Sequence, residues 1–321
     1  MVMSLWRQPA ARVGLLAVVA VLCVIGFMTL NVQTDWVFIL EHRGSRLLAL
    51  LLTACAIGVS TVLFQTITHS RLLTPALMGF DVLFVLVNTL VLLVWGGAEL
   101  AAWPPSLRFA VQVLVMVAVA LLAFRLLFSG SVRSLHLMIL LGMLAGMLFR
   151  ELAELGARVL DPSEFGISSG VRQASFNRVN TSLLWASSLG LALAGLLLLR
   201  WRRYLDVLSL GRDIAINLGV AHGRVVLGIM AVVAIMVSVA TVLVGPTLFF
   251  GLLIANLAYW FTGTQRHRWT LPASVLAGII CLVGGQVLLE HLLSSTLPLA
   301  LVIELAGGLL FIALLLRGVR Q

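Results

Sequence analysis

The chain contains no lysine, and all 21 of its cationic residues are arginine. A P-loop needs a lysine on the nucleotide phosphates and Schiff-base chemistry needs a side-chain amine, so both a Walker-type ATPase site and a lysine nucleophile are excluded. Charge of either sign is scarce. Only 10% of the 321 residues are charged and 61% are apolar, with a mean hydropathy of +1.14. A soluble domain carries about a quarter charged residues, so this composition excludes a water-soluble globule and points to a bilayer. Cysteine is rare as well. Cys23, Cys55 and Cys281 each sit in an apolar run, far from one another in sequence, which excludes a disulfide framework and a zinc motif.

Catalytic constellations are also missing. The six histidines, His42, His69, His136, His222, His267 and His291, show no pair at metal-ligand spacing on one helical face. No serine in a glycine-rich frame adjoins a histidine, so an intramembrane protease has nothing to rest on. A membrane enzyme of any kind lacks a residue set.

What is present is a series of long apolar runs. Cutting at charged and Pro/Gly-rich breaks leaves ten, at 13–30, 47–64, 75–95, 109–128, 135–149, 183–199, 225–244, 248–261, 271–289 and 299–316. Ten candidate helices in one membrane domain follow, with soft boundaries where a run is shorter than the roughly 20 residues of a standard span. Arg7 and Arg12 ahead of the first run give it the outline of a signal peptide. Its length, and the absence of a small-residue cleavage site before Asn31, read instead as an uncleaved span. No segment is long enough for a second soluble domain.

Basic residues are retained on the cytoplasmic side, so the arginines report orientation. With the N-terminus inside, 14 of the 21 fall on the inner face and the rest, among them Arg43, Arg46, Arg108 and Arg150, on the outer. This two-to-one ratio predicts an even number of spans and both termini in the cytoplasm. The net charge of +9 is then mostly topology and not a sign of nucleic-acid binding.

Two acids fall inside predicted spans, Asp81 and Glu304. A carboxylate in a bilayer is expensive, so each faces a cavity, a partner helix or the interface. If either carried protons, the chain would be an ion-coupled secondary transporter. The inner segment 200–224 is more informative. Its stretch from Tyr204 to Arg224 reads YLDVLSLGRDIAINLGVAHGR, with apolar Leu205, Leu208, Ile214, Ala215 and Leu218 interrupted by Gly211 and closed by Gly219. This predicts two short amphipathic helices around a glycine turn, with Asp213 early in the second and Gly219 as its stop. Such a pair is either an anchor on lipid headgroups or a docking element for a soluble partner.

The stretch 208–219, LSLGRDIAINLG, resembles the cytoplasmic coupling-helix signature of permeases of the iron-siderophore and cobalamin ABC importer family, the FecCD type. Three further stretches match in order. RGSR at 43–46 resembles an arginine pair at the outer end of the family's second helix. The run from Gly58 through Gln65 to Pro75 and Gly79 resembles its small-residue helix and the turn that follows. GPTLFFGLLIAN at 245–256 resembles the break before its eighth helix. There are departures. Ala255-Asn256 stands where Pro-His is usual, Gln286 and Glu290 where an aspartate and an arginine are usual, and Asp81 where a small residue is usual.

The resemblance implies a type II ABC importer permease, all-α, in the cytoplasmic (inner) membrane. It moves a ferric siderophore inward, with ATP bound by a separate ATPase subunit and no cofactor on this chain. Leu208, Gly211, Arg212, Asp213, Ala215, Leu218 and Gly219 would couple to the ATPase. Arg43 and Arg46 would dock an extracytoplasmic siderophore-binding protein, with lipid-headgroup anchoring as their alternative. The departures point to a second, sister permease and thus a heterodimer rather than a homodimer. Asp81, Gln65, Asn256, Gln286 and Glu304 remain candidates for pathway-lining or buried polar roles. Gly142 and Gly146, four apart, suit close helix packing.

Overall fold

The computed structural model describes residues 8–30, 36–129, 135–160, 174, 176, 181–292 and 298–318. Arg7, Arg133, Arg172, Arg178 and Arg320, which entered the orientation argument, lie outside the described residues.

Among the described residues ten helices of 13 residues or more follow the ten apolar runs in order. They are α1 (Pro9–Thr29), α2 (Trp36–Thr68), α3 (Phe80–Ala102), α4 (Pro105–Ser129), α5 (Leu135–Val159), α6 (Thr181–Trp201), α9 (His222–Val244), α10 (Phe250–Thr262), α11 (His267–Ile279) and α12 (Leu299–Gly318). Between α6 and α9 lie two short helices, α7 (Leu205–Leu208) and α8 (Arg212–Asn217). Seven of the long helices are long and apolar enough to cross a membrane. α10 is shorter because Gly245, at φ 93°, breaks the chain after α9 and Pro246 cannot continue it.

The helices overrun several of the apolar runs, because a helix does not end where its hydrophobicity does. α2 begins well ahead of residue 47, so Arg43 and Arg46 lie within a helix rather than in a loop. α5 extends to Val159 and carries Arg150, Glu151 and Glu154 on its last turns. α11 continues through π-helical turns at Ile280–Gly284 and Leu288–Leu292. π turns recur at functional sites, and these flank Gln286.

Burial sorts the helices. The spans of α2 and α9 are 72% buried, that of α1 only 17%. α2 and α9 are therefore the axis and α1 an outer wall. Lipid is as apolar as leucine, so close approach of backbones, rather than hydrophobic burial, holds such helices together. α2 and α11 show how. A Cβ added at Gly58 would lie 3.1 Å from the Ser274 backbone, and one at Gly278 3.2 Å from Ala54 Cα. Residues 54 and 58 thus meet 278 and 274 along one antiparallel seam. The large apolar side chains point the other way, with Trp185, Leu189 and Leu196 on α6 and Val18 and Leu22 on α1 exposed toward lipid.

Candidate functional site

Polar groups gather at both ends of the α2–α11 pair and in one cavity lined by α3, α5 and α12. At one end, Arg46 Nη2 is 2.8 Å from Glu290 Oε1, which also accepts from Gln286 Nε2 at 2.6 Å. Arg43 beside it donates to the carbonyls of Phe27 and Leu30, satisfying the C-terminal end of α1. At the other end, His267 packs its ring between two helices. Its backbone N–H and Nδ1 lie 2.9 and 2.7 Å from Asp206 Oδ1, and its Nε2 lies 2.7 Å from Thr66 Oγ1. On α2, Arg46 and Thr66 are about 20 residues apart, or about 30 Å at the helical rise. That is the thickness of the bilayer hydrocarbon core. The two polar clasps therefore mark the two membrane faces.

The face that holds His267 collects the predicted inner arginines. Arg12 Nη1 donates to Phe261 O, Arg71 stacks 5.0 Å over Tyr259, and Arg203 lies 4.8 Å over Tyr204. Gln65 and Asn256, 191 positions apart in sequence, both donate to one acceptor, the Arg71 carbonyl, at 2.8 and 3.3 Å. They staple the loop after α2 to α10. Gln286 is buried and donates to Glu290. In this loop, burial holds the His69 imidazole below its ordinary range.

The inner segment 200–224 has the predicted form. α7 and α8 are separated by Gly211 at φ 104° and α8 ends at Gly219, φ 80°. The stop is a Schellman motif, in which Val220 N–H donates to Ala215 O at 3.0 Å and Gly219 N–H to Ile216 O at 2.9 Å. The expected apolar face, however, divides in two. Leu205, Leu208 and Ala215 are buried against the bundle, whereas Leu210, Ile214, Ile216 and Leu218 are 47–61% exposed. α8 thus stands on the membrane face as an apolar knob beside Arg212 and Asp213, which are also exposed.

Asp81 and Glu304, distant in sequence, line one cavity of about 290 Å³ with Val85, Arg150, Glu154 and Pro246. The reason lies in the loop before α3. Gly79, at φ 94°, packs so tightly on α5 that an added Cβ would be 2.8 Å from Gly146 Cα, and Gly142 faces Met78. Gly142 and Gly146 are therefore packing positions, as their spacing suggested. Because Gly146 is near the middle of α5, α3 begins inside the bundle. Asp81 is near the end of its helix, as predicted, but that end is buried.

Sequence reasoning missed the Asp206–His267–Thr66 clasp. Asp206 and His267 are 61 positions apart, and the only local sign was an acid in the inner segment and a histidine opening an apolar run.

An all-helical bundle with a polar clasp at each face, a partly open polar pocket and a protruding helical knob has the form of a polytopic transport subunit. The sequence from residue 11 to 317 matches the model of the FecCD transport family, and the chain belongs to that family. It is 38% identical over 306 residues to the petrobactin import system permease protein YclO of Bacillus subtilis, covering 95% of this chain and 97% of that one. It is 30% identical to the petrobactin import system permease protein FatC of Bacillus anthracis, covering 87% and 79%, and 28% identical to the ferric enterobactin permease FepD of Escherichia coli, covering 90% and 84%. A solved metal-chelate type ABC transporter in an inward-facing conformation shares the fold, with TM-score 0.78 at 23% identity over 96% of this chain and 99% of that one.

Proposed function

We propose that this chain is the membrane-spanning permease subunit of an ATP-driven importer that carries a ferric siderophore into the cytoplasm. The observation that carries the mechanism is the knob formed by Leu210, Ile214, Ile216 and Leu218, solvent-facing on a helix of six residues. A helix that short does not persist alone, so the bundle holds it in place for a partner with an apolar cleft. The partner is the ATPase, which binds the ATP that this lysine-free chain does not. Movement of the knob reaches the bundle by two routes, the buried side of α7 and α8 (Leu205, Leu208, Ala215) and the Asp206–His267–Thr66 clasp.

At the opposite face Arg43 and Arg46 dock an extracytoplasmic binding protein. A carboxylate from that protein competes with Glu290 for Arg46, exchanging one ion pair for another. A sister permease completes the path, giving a heterodimer in the cytoplasmic membrane. The alternative of an ion-coupled secondary transporter built on Asp81 or Glu304 gives way to the family assignment. Ferric petrobactin, named for two of the relatives, is the first cargo to try.

The test is uptake into proteoliposomes holding the permease pair, ATPase and binding protein. Gly211→Trp and Asp213→Arg leave the chain in the membrane but abolish ATP-driven uptake. Normal uptake by both variants overturns the role of the segment, and uptake that ignores an inactive ATPase but collapses with an ionophore overturns the importer reading.

A further inference from the structure

The cavity between α3, α5, α12 and the break after α9 has a charge pattern that import alone does not explain. Its lining includes three carboxylates, Asp81, Glu154 and Glu304, against a single cation, Arg150. Asp81 is 95% buried by its 5% exposure. The Thr247 backbone N–H donates to its carboxylate, and Oδ2 has no partner among the described residues. A buried carboxylate oxygen without a partner is costly, and more so within a bilayer, so the arrangement favours a positive ligand.

Size and geometry narrow the ligand. About 290 Å³ is roughly ten times the share of one water in the liquid, too large for a bare ion and at the lower edge of small-molecule pockets. Among the described residues no three His, Cys, Asp or Glu side chains are grouped to hold a metal ion, so the carboxylates are spread around the wall. A spread of acceptors around an organic-sized void suits an alkylammonium group, whose three N–H donors point in different directions. Gly307 keeps α12 close, since a Cβ there would sit 3.0 Å from Phe249 O, and this fixes Glu304 at the cavity wall.

We propose that this cavity receives an ammonium-bearing part of the transported chelate, with Asp81 and Glu304 as its counter-charges. The proposal rests on the importer reading and adds the chemical class of the cargo. The intact transporter in lipid nanodiscs is treated with dicyclohexylcarbodiimide, which adds to protonated buried carboxyls, and the modified residues are located by mass spectrometry. The probes are n-butylammonium and, as the uncharged control, n-butanol. A bound cation displaces the proton that the reagent requires, so n-butylammonium slows labelling of Asp81 and Glu304 about tenfold or more, and butanol does not. Asp81→Asn removes the protection at Glu304. Equal labelling with both probes overturns the proposal, and so does a probe-free transporter in which neither carboxyl reacts, because the carboxyls are then either sealed from the reagent or already paired within the protein. Lost protection with intact ATP-driven uptake removes the ammonium site alone. Intact protection without ATP-driven uptake removes the importer reading alone.

Discussion

Replacing Asp206 by alanine removes the acceptor on the inner segment 200–224 that His267 uses among the described residues. Two donors lose their partner, the backbone N–H at 2.9 Å and Nδ1 at 2.7 Å, and His267 is 5% exposed. Each unsatisfied buried donor costs about 1–3 kcal/mol. The Asp206 side chain is 59% exposed, so water reaches the vacated site and recovers part of this, leaving about 1–3 kcal/mol in all. A loss of 1.4 kcal/mol is tenfold in an equilibrium, so α7 and α8 leave their seat roughly 5- to 150-fold more often. The bundle itself is unaffected, because Leu205 and Leu208 still bury against it. In proteoliposomes, ATP hydrolysis by the partner continues while chelate moved per ATP falls severalfold. Amide hydrogen exchange across residues 205–218 accelerates by a similar factor. Asp206→Asn retains an oxygen for the backbone N–H and recovers part of both. If Asp206→Ala changes neither the exchange of this segment nor the uptake per ATP, the clasp does not transmit force and the reasoning fails.

Gly79→Ala combines a strained left-handed backbone with a Cβ 2.8 Å from Gly146 Cα, and is expected to cost about 2 kcal/mol or more, visible as a lower melting temperature of the purified transporter. A melting temperature equal to wild type would show that α3 does not depend on this approach. Arg46→Glu breaks the outer clasp and sets like charges together, reducing stability by about 1 kcal/mol given partly exposed partners. Adding Glu290→Arg restores stability but reverses the charge order seen by a binding protein. Stability that fails to return in the double variant would count against the pair.

Much of the fold was legible because the bilayer imposes it. Ten runs of apolar residues became ten helices, since a chain in lipid must satisfy its backbone hydrogen bonds internally. The boundaries were less legible. α5 carries Arg150, Glu151 and Glu154 beyond its apolar run because helical hydrogen bonding is indifferent to where polarity begins. The helix pair of the inner segment was readable because its information is local, with Gly211 and Gly219 marking positive φ and the residues between them marking a short helix. Its division into a buried and an exposed side was not, because Ala215 and Ile214 differ only in what lies opposite each.

The sequence by itself determined the medium, the number of helices and the orientation, properties that follow from composition and from arginine position along one dimension. The tertiary structure alone decided which polar residues meet. It closed Arg46 on Glu290 and Asp206 on His267, and it drew Gln65 and Asn256 onto one carbonyl. It also placed Asp81 and Glu304 in a common cavity. The reason is physical: in a helical bundle each such contact joins residues from separate helices, and their pairing depends on helix rotation and depth, which small-residue packing sets and no local pattern records.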